Sequence, residues 1–227
     1  MIEARYRPRS IEGFKETEDM ANNDLESRVR NPRTVLHWYD FLCPFCYVGQ
    51  SRTTILVRHG LDVIGLPFQA HPDIPPAGVP AGTRNGLMYA NLEREAKEAG
   101  LQLNWPPHLP DTRRALAAAE WVRRHQPDSF HQFQKDLFAA HFALGEDLGN
   151  PAVVDEHATD LGIDLEALHS AFADGSAFAA VSNAETIGHK YGVQGTPAWL
   201  IAQRLISGLL PAAEFDRLAE VAMQPGL

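Results

Sequence analysis

The sequence predicts an α/β fold in which a small sheet is split by a long helical stretch. Three observations predict it. A β-branched and aromatic run, Thr34-Val35-Leu36-His37-Trp38-Tyr39, is followed by a helical pattern and then by a second apolar run over 61–68. From 83 to 175 the apolar residues recur mainly at helical spacing. Near the end, Gly195-Thr196-Pro197 opens two further short runs, 198–201 and 204–207. Short apolar runs bounded by turn residues mark strands, whereas recurrence every three or four residues marks helices.

The first run lacks clean alternation, as a central strand covered on both faces should. Over 46–58 the pattern turns helical, with Val48, Ile55 and Leu56 available for burial and His59-Gly60 as the stop. Strand, helix and strand in this order imply a parallel pair joined by a right-handed crossover. The segment 71–82 is crowded with proline and glycine and reads as an irregular loop. A charged helix over 85–99 ends at Gly100, and 101–110 is a proline-rich connection. Ala118, Trp121, Val122 and His125 then share a helix face, as do Phe130, Phe133, Leu137 and Phe138 in the next helix. Asn150-Pro151 starts a helix that buries Val154, His157, Ala158 and Leu161 and stops at Gly162. Leu165, Leu168 and Phe172 mark a short helix, and a longer one begins at Ser176 with Ala177, Val181, Ala184, Ile187 and Tyr191 on one side. The runs 198–201 and 204–207 read as an antiparallel pair, although Ala202-Gln203 lacks the usual Asn-Gly or Asp-Gly turn chemistry. A closing helix spans 214–222.

At 227 residues and 44% hydrophobic content the chain can bury a sizeable core without staples. Its formal net charge is −9. The paired arginines Arg113-Arg114 and Arg123-Arg124 fall on one helix and read as a solvated face, so nucleic acid and membrane are not expected partners. Residues 1–33 are polar, without an apolar h-region, and read as a disordered tail rather than a leader. No run is long enough to span a bilayer, and a cytoplasmic location is expected.

Chemistry concentrates at Asp40-Phe41-Leu42-Cys43-Pro44-Phe45-Cys46-Tyr47, which holds the only two cysteines. With Cys43 at the first turn of a helix, unpaired backbone N–H groups and the positive end of the helix dipole favour its thiolate. Cys46, one turn further in, is near enough to close a small disulfide ring and should be less exposed. Zinc would want four ligands, yet there is no second CxxC, and the ten histidines show no paired ligand spacing after this element. A structural bridge closing so short a loop removes little chain entropy. In a reducing compartment, two cysteines at this spacing read as catalytic or redox-sensing.

The CPFC segment, with Val48-Gly49 after it, together with Phe68-Gln69-Ala70-His71-Pro72-Asp73-Ile74-Pro75-Pro76-Ala77-Gly78 and the Gly195-Thr196-Pro197 loop, resembles the DsbA-type thioredoxin-fold family, and within it the cytoplasmic FrnE-like branch. The resemblance runs from Thr34 over most of the chain. It implies a thioredoxin fold over 34–70 and 176–227 with an all-helical domain inserted at 71–175. It also implies thiol-disulfide exchange on a protein or small-thiol substrate, with Cys43 attacking and Cys46 resolving. Pro44, Phe45, Thr196 and Pro197 would then meet the substrate, and a cis peptide between Thr196 and Pro197 would lay that loop against the dithiol. No resident cofactor or metal follows, glutathione can serve as co-substrate, and the chain is expected as a monomer or homodimer. Two departures argue against strong oxidant activity: no histidine stands between the cysteines, and Thr196 replaces the valine usual in the periplasmic enzymes.

Asp40, three residues before Cys43, is either a cap on the motif loop or a carboxylate that moves a proton when Cys46 attacks. His37 reads as a core histidine before a proton relay. Phe45, Tyr47, Trp105, Trp121 and Trp199 could line an apolar cleft, though most of such a set is ordinarily core. The rival activity comes from the same superfamily: 2-hydroxychromene-2-carboxylate isomerases and kappa-class glutathione transferases bind glutathione at this loop, and Cys46 argues against them. A non-catalytic binding domain would leave the dithiol unexplained.

Overall fold

The computed structural model describes residue 25 and residues 27–224. β1 (Thr34–Tyr39), α1 (Pro44–Arg58) and β2 (Asp62–Pro67) form the expected unit, with β1 parallel to β2 and Val35, His37 and Tyr39 opposite Val63, Gly65 and Pro67. Every residue of β1 is buried, which explains its unbroken apolar character.

Beyond β2 come β3 (Val79–Pro80), α2 (Leu87–Glu98) and β4 (His108–Leu109), then α3 (Arg113–His125) and α4 (Pro127–Ala139). α4 runs into a π-helical turn, Ala140–Leu144, closed by left-handed Gly145. α5 (Pro151–Asp160) is capped by Asn150 and α6 (Leu165–Ala173) by Asp164, each side chain accepting a first-turn N–H. α7 (Ser176–Lys190) returns to the sheet, followed by β5 (Ala198–Ile201), β6 (Arg204–Ser207) and α8 (Ala212–Ala222). The sheet order is β2-β1-β5-β6, with β5 antiparallel to both neighbours. This is the thioredoxin-like arrangement that the sequence predicts.

The sheet is covered on both sides. Leu36, Trp38, Ile64, Leu66 and Leu200 pack with Ala184 of α7, while Val35 and Trp199 pack with Ile55 and Leu56 of α1 and Phe215 of α8. A third cluster fills the helical part and reaches the dithiol: Leu116, Val122, Phe133, Leu137 and Phe138 are continuous with Phe41, Cys46 and Tyr47.

Two expectations need correction, and one feature was unforeseen. The segments 71–82 and 101–110 are not wholly irregular: Val79 pairs with Leu109 and Pro80 with His108, so the stretch between β2 and α7 is not all helix. Two residues a side carry no strand signal beyond the prolines that limit them. The π-helical turn was not expected either. Finally, the chain just before β1 is not a free tail. Leu25 and Val29 are buried against the β1–β5 face, Arg28 pairs with Asp62 at 2.9 Å, and Gln203 donates to the Val29 carbonyl at 2.8 Å. These two apolar side chains join the cluster that α7 forms with this face of the sheet. The remainder of the expected tail, 1–24 and 26, lies outside the described residues.

The 202–203 turn forms despite its chemistry, with Ala202 at φ 45° and Gln203 at φ 63°. No described helix is long and apolar enough to cross a membrane.

Candidate active site

The dithiol sits where β1 ends and α1 begins. Cys43 is the N-cap residue of α1, with extended backbone and Pro44 at the first helical position. Proline is well placed there because its missing N–H would have had no helical acceptor. No side-chain hydrogen bond caps the helix, so the Cys43 sulfur occupies the place of a capping oxygen and receives the N–H of Cys46 when ionised. Cys43 is half-buried, Cys46 is fully buried, and both are thiols.

The Thr196–Pro197 peptide bond is cis, and the Thr196 carbonyl faces the dithiol, accepting from Cys43 Sγ at 3.3 Å. The loop is held from behind, where Gly208 donates to the Pro197 carbonyl at 2.8 Å. Among the described residues the Thr196 hydroxyl has no hydrogen-bond partner in the dithiol state, and it is a donor that lowers the pKa of either sulfur as thiolate.

The two thiols are driven apart in acidity. Burial opposes ionisation of Cys43, but hydrogen bonds from the Cys46 thiol, Thr196 and the Cys46 backbone outweigh it and hold Cys43 below the ordinary thiol value, with the Asp40 charge pulling the other way. Cys46 is pushed well above it, first by burial and then by its hydrogen bond to Cys43 and the charge there. One thiol is therefore prepared as the nucleophile and the other is kept protonated.

Asp40 is fully buried and both its carboxylate oxygens are bonded: Oδ1 accepts from the Leu42 N–H at 3.1 Å and the Thr112 hydroxyl at 2.7 Å, and Oδ2 accepts from the Ala70 N–H at 2.8 Å. The Cys43 N–H bonds to the Asp40 carbonyl at 3.1 Å. Asp40 thus caps the motif loop, one of its two expected roles, and ties it to the chain after β2 and to the start of α3. Sequence reasoning missed Thr112 and Ala70. Thr112 carried a usable signal, since it is a threonine at a helix start.

His37 is a core residue. It stacks on Trp199 at 4.5 Å between centroids and 2° between planes, with Nδ1 3.5 Å from Thr53 Oγ1, and burial lowers its pKa to about 3. The aromatic set divides. Trp199 is buried against Gly49 of α1, Trp121 stacks on His125, and Tyr47 stacks on Phe142 while donating to the Gln102 carbonyl at 2.9 Å. Phe45 and Trp105 alone of the five are half-exposed, and both pack on the Val48, Leu92 and Ala96 patch beside the dithiol. Pro44 is half-exposed and Pro197 is buried. Among the described residues no group of three or more His, Cys, Asp or Glu side chains is placed to hold a metal ion.

Sheet order, helix-capping dithiol and facing proline loop define a thioredoxin-fold protein of the DsbA type. The model of the DSBA-like thioredoxin domain matches residues 34–221, and the chain belongs to that family. Its structure is similar to that of a probable DsbA oxidoreductase from Streptomyces coelicolor, with a TM-score of 0.74, 22% identity, and 86% of this chain and 92% of that chain covered. It is also similar to the cytosolic disulfide reductase DsbM from Pseudomonas aeruginosa, solved with GSH, with a TM-score of 0.60, 18% identity, and 83% and 96% coverage. Among sequence relatives is a 2-hydroxychromene-2-carboxylate isomerase from Sphingobium xenophagum, 23% identical over 78% of this chain and 92% of the relative. At such identities the structural likenesses bear on fold alone.

Proposed function

We propose that the protein is a thiol-disulfide oxidoreductase in which Cys43 attacks and Cys46 resolves. The observation that carries this reading is the placing of two free thiols at one helix N-terminus, Cys43 half-exposed at the N-cap against the Thr196 carbonyl and Cys46 fully buried one turn in. The Cys43 thiolate attacks one sulfur of a substrate disulfide, forming a mixed disulfide and releasing the other sulfur as a thiolate. Cys46 then loses its proton and attacks Cys43 Sγ, expelling the second substrate thiol and leaving a Cys43–Cys46 disulfide. The substrate has gained two electrons and the protein has lost two, which a thiol such as glutathione can restore through the reverse steps. Cys46, held one turn away, acts at high effective concentration.

Pro44, Phe45 and the Thr196-Pro197 backbone form the substrate-facing rim in this reading, with the two units 34–70 and 176–227 as the thioredoxin-like part and 71–175 as the insertion. The FrnE-like cytoplasmic assignment belongs to the same proposal. It is supported by the quoted motifs and by likeness to a reductase described as cytosolic. The test is Cys46→Ser, which should accumulate a disulfide-bonded adduct on Cys43 with glutathione or protein and lose insulin reduction, while Cys43→Ser forms no adduct. An isomerase or transferase would instead keep its glutathione-dependent activity in Cys46→Ser without a trapped adduct, and that result would replace the reading.

A further inference from the structure

We propose that Thr112, at the start of α3, is a positioning residue for the dithiol: its hydroxyl fixes the Asp40 carboxylate beneath the motif loop and so sets the charge against which Cys43 and Cys46 ionise. The inference rests on the oxidoreductase reading for its purpose, though its test reads thiol ionisation alone.

Two independent observations support it. Thr112 occupies the N-cap position of α3, where a threonine hydroxyl ordinarily accepts a first-turn N–H. Here it makes no such bond. The hydroxyl is turned away from its own helix onto Asp40 Oδ1 at 2.7 Å, with Thr112 only 1% exposed. In addition, of the three donors on the Asp40 carboxylate, two are backbone N–H groups of Leu42 and Ala70, and Thr112 is the one side chain. Among the described residues it is also the one donor to this carboxylate that comes from the helical stretch, so this hydrogen bond ties that stretch to Asp40.

The charge of Asp40 is finely set. Burial pushes its carboxyl up, and the Thr112 hydrogen bond comes first among the contacts that pull it back down, ahead of Ala70, Leu42 and the His71 charge. Asp40 in turn raises Cys43. The ionisable groups that meet it are Tyr39 on β1, His71 after β2, and Cys43 and Cys46 at the start of α1, while beside its partner Thr112 stand Asp111, Arg113 and, through Gln69, Glu185. Of these the last three form their own network, with Arg113 paired to Glu185 at 2.6 Å and Gln69 donating to Asp111 at 2.7 Å. Losing the Thr112 hydroxyl removes the first of the contacts that hold Asp40 ionised and so raises its carboxyl further, and a protonated Asp40 opposes the thiolate less.

The experiment follows the rate of Cys43 alkylation by iodoacetamide against pH in reduced full-length protein. Thr112→Val should shift the Cys43 titration to lower pH, the direction expected when a neighbouring like charge is weakened, and Thr112→Ser should restore the wild-type profile. In an Asp40→Asn background Thr112→Val should produce no further shift. An equal shift in both backgrounds would mean that Thr112 acts through general packing, and no shift in either would mean that it does not act on the dithiol; either result overturns the proposal. If the valine variant does not fold, Thr112→Ala carries the same comparison. Failure of adduct trapping in Cys46→Ser would count against the oxidoreductase reading and leave this titration unaffected.

Discussion

Cys43 Sγ lies 3.3 Å from the Thr196 carbonyl oxygen, a contact that joins the start of α1 to a loop 153 residues away. A thiol donates across this contact, whereas a thiolate has no proton to give and must find donors instead. Those donors are the Cys46 thiol, the Cys46 N–H and Thr196. The Cys46 thiol is the largest of them, so its removal should be felt by Cys43. Cys46→Ala should raise the Cys43 pKa toward that of free cysteine, while Cys46→Ser, which keeps a donor, should raise it much less. Thiolate absorbance of the two variants against pH measures the difference, and coincident curves would remove the role assigned to the buried thiol.

Gly188 of α7 faces Trp38 of β1 so closely that a Cβ there would stand 2.9 Å from the indole Nε1 and 3.3 Å from Phe68. The indole cannot retreat. It is fully buried and donates to the Ala184 carbonyl at 3.1 Å. Alanine normally favours a helix over glycine by about 1 kcal/mol. Overpacking costs about 1–3 kcal/mol, and here it also strains a buried hydrogen bond. Gly188→Ala should therefore destabilise the protein despite its better helix propensity, as a lower urea midpoint at unchanged slope. A raised midpoint would show that α7 can move off the sheet.

The parts legible in the sequence are those where one local signal decided the structure. The apolar run of β1, the placing of Cys43 at the first turn of α1, the Asn150 start of α5 and the glycine stop at Gly162 each read correctly because their causes lie within a few residues. What was not legible depends on partners far along the chain. Nothing in the composition of 1–33 says that Leu25 and Val29 would join the cluster on this face of the sheet. The pairing of Val79 with Leu109 rests on two residues in each strand and gives no periodic pattern. At the site, the CxxC and Gly-Thr-Pro motifs located the sulfur chemistry, but Asp40 stayed ambiguous because its function depends on Thr112 and Ala70, 72 and 30 residues away.

The segment before β1 gives a direct test of its packing. Val29 is 5% exposed, lies among Leu36, Ile64 and Leu200, and its carbonyl receives the Gln203 amide. That amide also steadies a turn whose two residues, Ala202 and Gln203, are both left-handed, a conformation disfavoured by about 1–2 kcal/mol for each non-glycine residue. Val29→Ala should cost about 1–2 kcal/mol through lost burial. Removal of residues 1–30 should cost more than that and should also speed amide exchange in β6, since the turn loses its brace. Full stability in the truncated chain would show that the segment is dispensable to the sheet.

Two buried histidines make the fold sensitive to acid. His37, on β1, is lowered to about 3 by burial, and His141, in the π-helical turn, to about 4, burial again being the largest cause, from an ordinary value of 6.5. Among the described residues His141 Nε2 has no hydrogen-bond partner and Nδ1 meets the Glu146 carbonyl at 3.5 Å, and the Asp147 charge, which favours the protonated ring, is outweighed by burial. Above pH 6.5 both rings are neutral folded or unfolded, and the full stability is present. As the pH falls below 6.5, the unfolded chain gains protons that the folded chain refuses until about 4 and 3, so stability drains through that window. At pH 5 each histidine should cost roughly 2 kcal/mol relative to pH 7.5, at about 1.4 kcal/mol per pH unit. Asp40, whose carboxyl is raised by burial, acts in the opposite sense because the folded state takes up its proton first. A comparison against His141→Gln separates these contributions, since glutamine removes one titration and leaves the others. Urea unfolding at pH 7.5 and pH 5 should show the stability gap between wild type and His141→Gln moving in favour of the variant by about 2 kcal/mol at the lower pH; a gap that stays constant would mean that His141 titrates in the folded protein as it does in the unfolded chain.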